Sequence, residues 1–549
     1  MHTSFPQQKK KIVILGGGFG GVYTALYLEK HLKKNSEYEI ILVNKENYFV
    51  YQPMLSEVVG GSLGLIDTVS SLKKLLPKTT LFIRDVLSID IEKKIVTLAP
   101  EFHRNNYELH YDHLVLALGN VTDFRGIPGI HEHALPFKNL ADSIAIRNQL
   151  IAAVEAAACE EDPTLKQELL TFVIGGGGFS GTEVAAEVND FVRRLAKNYP
   201  EIAPDMIKVY LVHSQQRLMD REMSPSLGDY SGKILTKKGV NILFGQRLTS
   251  ASPNEAVIDG QKRIRAKTII STVPSSINPI LEKTTLPIEK NRIKTNLFLQ
   301  VEGVSHIWAL GDCALIPTKD LKGFCPPTAQ FAIREAKVLA HNILATLKKQ
   351  PLKEFDFKCI GMLGALGHHS AVAELFGKIK FSGFFAWLMW RAIYWIKLPG
   401  LDRKLKVAFS WLLDTIFPIE SVQLKVQPAQ GVINFHYEQG DTIFNEGDQG
   451  DYFYIIVSGK VEILKTKGPQ QEQIAILSSG EYFGEMALLN EKKRVATVRC
   501  LTAVDVLALR QKDFGILIAN LEDLRKGFLR KSEERIHHLH ESQKKNKIA

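Results

Sequence analysis

The sequence has little cysteine and no long apolar run, and each shortage excludes a class of protein. Its five cysteines form no C-x-x-C pair and no metal-ligand spacing with histidine, which argues against a disulfide framework and a metal site. The first residues lack the apolar stretch of an export signal, so we expect a reducing, cytosolic environment. The cysteines are Cys159, Cys313, Cys325, Cys359 and Cys500.

Length and composition indicate a multidomain globular chain. A length of 549 residues suggests three or four domains, and 45% hydrophobic with 23% charged residues is typical of folded proteins. The formal net charge of +10 favours an anionic partner, either a membrane surface or a polyanion. No helix-turn-helix pattern follows the β-rich C-terminal region, so we expect no nucleic acid partner.

Two glycine-rich turns each follow an apolar run typical of a strand. In such a fingerprint the first glycine makes the turn, the second lets the backbone approach a pyrophosphate, and the third packs helix against strand. The N-terminus of the helix then faces the anion. The duplication predicts an α/β fold with two Rossmann-like domains and two dinucleotides. The glycines are Gly16, Gly18 and Gly21, and then Gly176, Gly178 and Gly181.

Two dinucleotide sites in one chain are typical of a flavoenzyme in which FAD accepts a hydride from a nicotinamide. Gly311-Asp312 resembles the Gly-Asp motif of two-dinucleotide flavoproteins, whose aspartate binds the ribityl chain of FAD. The run from Leu114 to Gly119 resembles the strand that passes the chain from the FAD domain to the nicotinamide domain. The missing C-x-x-C pair excludes flavin reductases that relay electrons through a dithiol, so electrons must leave by another route.

A predicted helix beyond Cys325-Pro-Pro-Thr suggests that route, because it places Gln330 and Arg334 on one face. With Glu183 directly after the second glycine turn, these residues make positions 10–420 resemble type II NADH:quinone oxidoreductases, which are single-subunit respiratory dehydrogenases that pump no protons. The family has an Ala-Gln-x-Ala-x-Gln motif beside the flavin. The resemblance implies that Gln330 binds quinone and that Glu183 lies near the reacting groups.

The sequence departs from that family at three positions. Arg334 replaces the second glutamine of the motif; it would stabilise a quinol anion, or else pair with Glu335 or another carboxylate. The acidic residue that usually ends the second strand of each domain is replaced by Asn44 and His213. Asn44 can still hydrogen-bond a ribose. His213 would not repel the 2′-phosphate of NADPH, so NADH and NADPH both stay open, with an uninvolved surface histidine as the alternative.

These motifs together define the predicted redox site. The residues predicted to hold FAD are Gly16, Gly18, Phe19, Gly20, Gly21, Asn44, Gly119, Asp312 and Ala329. Those predicted to hold NAD(P)H are Gly176, Gly178, Phe179, Gly181 and His213. The residues predicted nearest the reaction are Glu183, Gln330 and Arg334.

Aromatic and basic residues are mixed over positions 378–417, which favours the headgroup interface of a bilayer. The uncharged run from Phe381 to Trp390 has ten residues, well short of the roughly 20 that a spanning helix needs. Apolar residues repeat at helical spacing from Leu405 to Ile416, which predicts an amphipathic helix. We expect a peripheral anchor on the cytoplasmic face of the cell membrane, with a soluble core helix as the alternative.

After Pro418 the pattern changes to short alternating strands separated by glycines, which predicts a β-rich domain. Residues 425–520 resemble a cyclic nucleotide-binding domain. The resemblance implies that Arg494 neutralises the cyclic phosphate and Glu485 binds the ribose; Val495, which has no hydroxyl, favours cAMP. A folded β-roll without ligand is the alternative. The predicted site residues are Gly484, Glu485, Met486, Ala487, Arg494 and Val495.

The sequence therefore divides into six predicted parts and one leading activity. The parts are 1–119 (FAD domain), 120–295 (NAD(P)H domain), 296–350 (FAD domain with the quinone-site helix), 351–420 (membrane anchor), 421–521 (cyclic nucleotide-binding domain) and 522–549 (charged tail). We expect NAD(P)H oxidation with membrane quinone as acceptor, regulation by a cyclic nucleotide, and a homodimer by family resemblance. One alternative is a sulfide:quinone oxidoreductase using Cys159 and Cys359, although Cys159 reads as a buried helix position; another is a redox-linked cyclic nucleotide sensor.

Overall fold

The computed structural model describes most of the chain. The described residues are 9–32, 37–99, 106–122, 127–272, 275–417, 420–424, 432–448, 452–467, 470–489 and 494–510. Within these ranges the chain forms two parallel α/β units, a small antiparallel sheet followed by two helices, and an all-β unit. The predicted tail at 522–549 lies outside the described residues.

The first α/β unit starts on a strand whose apolar residues are fully buried, as expected for a parallel sheet covered on both faces. Its strands to residue 122 are β1 (Lys10–Leu15), β2 (Tyr38–Asn44), β3 (Tyr48–Val50), β4 (Val69–Ser71), β5 (Thr80–Ile83), β6 (Val86–Asp90), β7 (Ile95–Leu98), β8 (Tyr107–His110), β9 (His113–Leu116) and β10 (Asn120–Thr122). Its helices are α1 (Phe19–His31), α2 (Leu55–Val59) and α3 (Leu72–Leu75), after a 3₁₀ turn at Gln52–Met54.

The second α/β unit repeats the pattern with its own five-stranded parallel sheet, in the order β11-β18-β12-β13-β14. Its strands are β11 (Leu135–Pro136), β12 (Thr171–Gly175), β13 (Lys208–His213), β14 (Val240–Phe244), β15 (Leu248–Ser252), β16 (Glu255–Ile258), β17 (Lys262–Arg265), β18 (Thr268–Ser271) and β19 (Ser275–Ile277). Its helices are α4 (Ile130–His133), α5 (Leu140–Cys159), α6 (Pro163–Leu169), α7 (Phe179–Ala196) and α8 (Pro225–Lys237).

The chain then returns to the first unit. Strands β10 and β19 pair antiparallel where the chain leaves and re-enters that unit, so the second unit is an insertion in the first. The returning elements are α9 (Pro279–Glu282), β20 (Ile288–Glu289), β21 (Arg292–Lys294), β22 (Ile307–Ala309), a 3₁₀ turn (Gly311–Cys313), β23 (Ala314–Leu315) and α10 (Ala329–Leu347). Strand β22 completes the first sheet, whose parallel order is β22-β9-β1-β2-β5.

The segment 361–416, which precedes the all-β unit, packs against both α/β units. It consists of the antiparallel strands β24 (Gly361–Ala365), β25 (Ala371–Leu375) and β26 (Ile379–Ser382), followed by α11 (Gly383–Lys397) and α12 (Leu401–Ile416). Trp387 and Trp390 of α11 are buried in the main core. Part of the predicted anchor is therefore a structural part of the main core.

A buried ion pair fixes this region to the first unit. Arg391 of α11 donates from Nη2 and Nε to Oε1 of Glu57 in α2, at 3.2 and 3.3 Å, and the Trp411 indole donates to Oε2 at 2.8 Å. The guanidinium lies over the rings of Trp387 and Trp411. Removing one partner of such a pair strands a buried charge, which costs about 3–5 kcal/mol.

Helix α12 presents its apolar side to solvent. Its polar side faces inward, where Ser410 donates to Asp67 and Asp414 accepts from Arg194 at 2.9 Å. The exposed large apolar residues of α11, α12 and their surroundings include Phe376, Phe381, Phe384, Phe385, Ile396, Leu401, Leu405, Phe409, Leu412 and Ile416. None of the helices in the described ranges has both the length and the apolar character to cross a membrane.

The all-β unit packs two four-stranded sheets, ordered β27-β34-β29-β32 and β28-β33-β30-β31, around an apolar core. Its elements are β27 (Val432–Tyr437), β28 (Thr442–Phe444), β29 (Tyr452–Ser458), β30 (Lys460–Lys467), β31 (Gln470–Ser478), β32 (Tyr482–Phe483), α13 (Glu485–Leu489), β33 (Thr497–Cys500) and β34 (Val504–Arg510). This part of the chain is β-rich, as the glycine-punctuated pattern predicts.

Candidate functional site

A cavity of about 710 Å³ opens at the carboxyl ends of β1, β2 and β9 in the first unit. This is where parallel α/β sheets bind ligands, and the volume is in the range of cofactor sites. Eight of the nine residues predicted to hold FAD line it: Gly16, Gly18, Phe19, Gly20, Asn44, Gly119, Asp312 and Ala329. Gly21 is not among the lining residues.

The glycines of the first turn are needed for different reasons. Gly16 has a φ of +109°, and a Cβ on it would lie 2.2 Å from the Ala117 carbonyl oxygen. A Cβ on Gly21 would lie 1.9 Å from the carbonyl oxygen of Gly16, so this glycine permits close packing between α1 and β1. Gly18 has no protein atom within 4 Å of an added Cβ. Its open side therefore faces the space that a pyrophosphate would occupy at the start of α1.

The far end of the cavity is built around Asp312. Lys138 approaches its carboxylate at 3.7 Å, and burial raises the pKa of Asp312. Glu335, from α10, accepts the Gly311 backbone N–H at 2.8 Å and so fixes the Gly-Asp turn; burial raises its pKa to about 7. The lining, the open glycine face and the positioned aspartate fit an FAD. No local motif marks Lys138 or Glu335, because their roles depend on the tertiary fold.

The second glycine turn has the same construction. Gly176 has a φ of +106°, and a Cβ on Gly181 would lie 1.9 Å from its carbonyl oxygen. The Gly177 backbone N–H donates to Nδ1 of His213 at 3.1 Å, as Gly17 donates to Oδ1 of Asn44 at 2.9 Å. Both residues that replace the expected carboxylates thus hold the middle of their glycine turns. Burial lowers the pKa of His213, so its imidazole is neutral at physiological pH.

Glu183 lies in the first turns of α7, below the second glycine turn. Its Oε1 accepts the backbone N–H of Ala365 at 2.9 Å. Burial raises the pKa of this carboxyl to about 8, against the effect of that hydrogen bond. The carboxyl is consequently protonated at neutral pH, in a state from which it can donate a proton. Phe179, at the start of the same helix, packs against Gly364 of β24.

Gln330 and Arg334 lie on α10, but they make different contacts. The Gln330 amide donates to the Gly361 carbonyl at 3.0 Å and accepts the Ile360 N–H at 2.9 Å. The Arg334 guanidinium lies 4.7 Å from the centre of the Phe357 ring. Glu335 is turned away to Gly311, so the alternative that Arg334 pairs with Glu335 is wrong.

The cysteines are dispersed among different environments. Cys313, Cys325 and Cys500 are buried, and burial raises the pKa of each thiol to about 12. Cys159 ends α5 and is exposed, so its expected buried position is wrong; the alanine-rich face of α5 does not extend to this last residue. Cys359 is half-buried beside the segment that Gln330 binds. In the described part of the chain, no group of three or more candidate ligands is arranged to hold a metal ion.

The all-β unit contains a second candidate site. Arg494 is buried and donates to the carbonyls of Gly484 and Tyr452, both at 2.8 Å, while its guanidinium lies 4.1 Å from the Phe444 ring centre. Glu485, also buried, starts α13 directly after Gly484. Arg494 therefore contacts the residue that directly precedes Glu485. Met486 and Val495 are half-buried. The side chain of Ala487 is not among those that the structure describes.

Comparison with family models agrees with this division of the chain. A model described as pyridine nucleotide-disulphide oxidoreductase matches residues 10–336. A model described as NDH2 C-terminal domain matches residues 360–418, and one described as cyclic nucleotide-binding domain matches residues 434–520.

Several proteins are similar along most of their length. A demethylphylloquinone reductase of Synechocystis is 29% identical, covering 74% of this chain and 96% of the relative. A type II NADH:quinone oxidoreductase of Mycobacterium tuberculosis is 26% identical, covering 80% and 94%. The solved NDH2 of Plasmodium falciparum in complex with NADH has a TM-score of 0.70 at 20% identity, covering 75% of this chain and all of that one. These matches confirm the resemblance inferred from the motifs.

The glycine geometry predicts opposite outcomes for two alanine substitutions. Gly18→Ala should leave the thermal unfolding of the flavin-free protein unchanged, since its Cβ meets no protein atom, but weaken FAD binding by filling the pyrophosphate space. Gly21→Ala should lower the unfolding midpoint, because its Cβ overlaps the Gly16 carbonyl. Flavin titration and calorimetry measure the two effects. Unchanged FAD affinity in Gly18→Ala would contradict this assignment of the cavity.

Proposed function

The chain belongs to the pyridine nucleotide-disulphide oxidoreductase family, and we propose that it oxidises NAD(P)H and reduces a membrane quinone through a bound FAD. One observation carries the proposal. Strand β24, five residues long, binds the Gln330 amide at Gly361 and the Glu183 carboxyl at Ala365. It therefore joins the candidate quinone residue to the candidate nicotinamide residue across roughly 13 Å, at about 3.3 Å per strand residue.

The chain's own residues have separable roles in this reaction. A bound FAD supplies the two-electron redox chemistry. The first glycine turn and Asp312 hold and orient it, and the second turn presents the nicotinamide. In this proposal Glu183, whose pKa of about 8 favours the protonated form at neutral pH, gives a proton to the reduced acceptor. In this reaction NAD(P)H, one proton and quinone give NAD(P)⁺ and quinol. The proposed mechanism needs no transport of protons across a membrane.

The sulfide:quinone oxidoreductase alternative has weaker support. The solved enzyme from Aquifex aeolicus has a TM-score of 0.58 at 16% identity, covering 74% of this chain, which indicates a shared fold alone. Cys159 lies at the exposed end of α5, whereas Cys359 lies beside the segment bound by Gln330. The nicotinamide enzyme accounts for Glu183, β24 and both glycine turns.

Substituting the Glu183 carboxyl tests the redox proposal. Glu183→Gln keeps the shape of the protonated side chain but cannot donate, so we expect kcat to fall on the order of 10²-fold with KM for NADH little changed. In the unaltered protein, kcat should fall as pH rises through about 8, because the protonated donor is lost. Steady-state NADH:quinone assays across pH measure both. A Gln variant with unaltered rate and pH profile would contradict this role.

Regulation by a cyclic nucleotide is proposed from the links between the all-β unit and the redox core. The described linker residues 420–424 lie along α5, where Asn148 bonds both the N–H and the carbonyl of Leu424. His133 of α4 donates to the carbonyl of His436 and stacks on Phe435 with ring centres 6.0 Å apart. Because residues at the start of α5 line the FAD cavity, a change in the all-β unit has a short path to that cavity.

A paired assay tests this regulation. We expect cAMP to change quinone-dependent NADH oxidation by the full chain, and Arg494→Gln to abolish the change because the cyclic phosphate loses its cation. Arg499→Gln is the matched control, since Arg499 of the same unit pairs with Glu462 at 2.7 Å and lies outside the predicted site. An effect of cAMP that survives Arg494→Gln, or the absence of any effect in the unaltered chain, would refute the proposal.

Attachment to a membrane surface is proposed from the exposed apolar side of α12 and the adjoining residues. Phe385 is 77% exposed and Ile416 is 63% exposed, whereas the polar residues of α12 face the protein. A truncation after Phe376 would test this attachment, but it would also remove Arg391 and Trp390 from the core. Charge substitutions on the exposed side are therefore a sharper test than truncation.

The membrane test uses Phe385→Glu combined with Ile416→Glu. We expect binding to vesicles containing anionic lipid to fall by at least about tenfold, since each large apolar side chain transferred from water contributes about 1.5–3 kcal/mol. Ile476→Glu is the matched control, because Ile476 is 50% exposed on the all-β unit. Vesicle flotation measures the bound fraction. Equal binding by the double variant and the control would exclude this surface.

A further inference from the structure

Helix α7 is largely apolar and buried, but it carries a stripe of three acidic residues along one face. Glu183, Glu187 and Asp190 are spaced by four and three residues, so their side chains share one face. Seven residues at 1.5 Å each place Asp190 roughly 10 Å along the axis from Glu183. The stripe therefore extends from Glu183, in the candidate redox site, to Asp190 at its other end.

The middle residue of the stripe is enclosed. Glu187 is 5% exposed, and its Oε2 lies close to Gly60, the residue directly after α2: a Cβ added to that glycine would be 1.9 Å from the oxygen. The charged groups that face Glu187 from its own helix, α2, α11 and the end of α8 are Asp190, Glu57, Arg391 and Lys238.

The two cations near Glu187 already have other carboxylate partners. Arg391 pairs with Glu57 at 3.2 Å, and Lys238 pairs with Asp190 at 2.7 Å. Burial, together with the Glu57 and Asp190 carboxylates, raises the pKa of Glu187 well above its ordinary value. These surroundings favour the protonated form of Glu187, which lies deep in the core and one helical turn from Glu183.

The far end of the stripe reaches water. Asp190 accepts from Lys238 and from the His368 backbone N–H at 2.8 Å, and the side chains of Asp190 and Lys238 are 17% and 23% exposed. A proton can thus enter at this pair. At the other end, quinone reduction consumes one proton per NAD(P)H oxidised.

We propose that Glu187 carries this proton from the Asp190–Lys238 pair to Glu183. The inference rests on the proposed function, because that reaction sets the demand for a proton. Each turnover moves one proton from solvent to Asp190, from Asp190 to Glu187, from Glu187 to Glu183, and from Glu183 to the acceptor oxygen. Every carboxyl returns to its starting state. Glu187 is a proton carrier that touches neither substrate nor cofactor.

The first measurement needs no flavin. Infrared difference spectra of full-length Glu187→Gln against the unaltered protein at neutral pH should show the loss of one protonated carboxyl band. Glu29→Gln is the matched control, because Glu29 is also buried, at 6% exposed, but lies on α1 and accepts from Thr79 at 2.7 Å. Loss of an ionised carboxylate band instead of a protonated one in Glu187→Gln would overturn the proposal.

The second measurement follows protons in the flavin-loaded full chain with a pH-indicator dye and a short-chain quinone. In Glu187→Gln, flavin reduction by NADH should keep its rate, while quinol formation and proton uptake slow together by about tenfold or more. Glu187→Asp should restore part of the rate. Unaltered proton uptake in Glu187→Gln would overturn the relay, and Asp190→Asn gives the same readout if Glu187→Gln does not fold.

The two possible failures are distinguishable. An unaltered chain that forms no quinol from NADH defeats the proposed function, whereas the infrared result depends on Glu187 alone. An unaltered chain that forms quinol, combined with normal proton uptake by Glu187→Gln and by Asp190→Asn, defeats the relay and leaves the oxidoreductase intact.

Discussion

The position of strand β24 between the two α/β units is the constraint on which the site depends. Its first residue, Gly361, holds Gln330 from the first unit, and its last residue, Ala365, holds Glu183 from the second. Gly364 lets Phe179 approach closely, since a Cβ there would lie 3.0 Å from the Phe179 ring. Neither unit alone brings these side chains together. The segment 361–416 is thus part of the candidate redox site as well as a candidate membrane contact.

The Glu57–Arg391 pair fixes the helices that follow this small sheet to the first unit. The pair is enclosed by two tryptophans, which removes water and strengthens the electrostatic attraction, while the Trp411 indole satisfies the second carboxylate oxygen. Buried pairs of this kind specify an arrangement more than they add stability. Here the arrangement joins α2, α11 and α12, so the helices carrying the exposed apolar surface have a fixed orientation relative to the first α/β unit.

Sequence patterns predicted the parts of the fold that local chemistry determines. Both glycine turns, the helices that follow them and the change to a β-rich domain were predictable, because turn geometry and hydrophobic period are local properties. The candidate FAD cavity gathers eight of the nine residues predicted for it, including Asp312 from almost 300 positions beyond the first turn. These residues are predictable because each motif has a fixed place in a parallel sheet.

Contacts between distant elements were not predictable. Nothing around Gln330 indicates that its amide is bonded to a β-strand, and nothing around Glu335 indicates that it holds the Gly311 turn. Asn44 and His213 were predicted from their strand positions, but their hydrogen bonds to the glycine turns depend on the distance between two strands. Cys159 was wrongly predicted to be buried, because an alanine-rich run does not indicate where its helix leaves the core.

The central claim is that one chain holds a flavin, reduces it with a pyridine nucleotide and oxidises it with a quinone. Anaerobic stopped-flow spectroscopy of the purified full chain tests this directly. The account predicts a yellow protein whose flavin absorbance bleaches when NADH or NADPH is added and returns when quinone follows. A protein that binds no flavin, or whose flavin neither nucleotide bleaches, would contradict it.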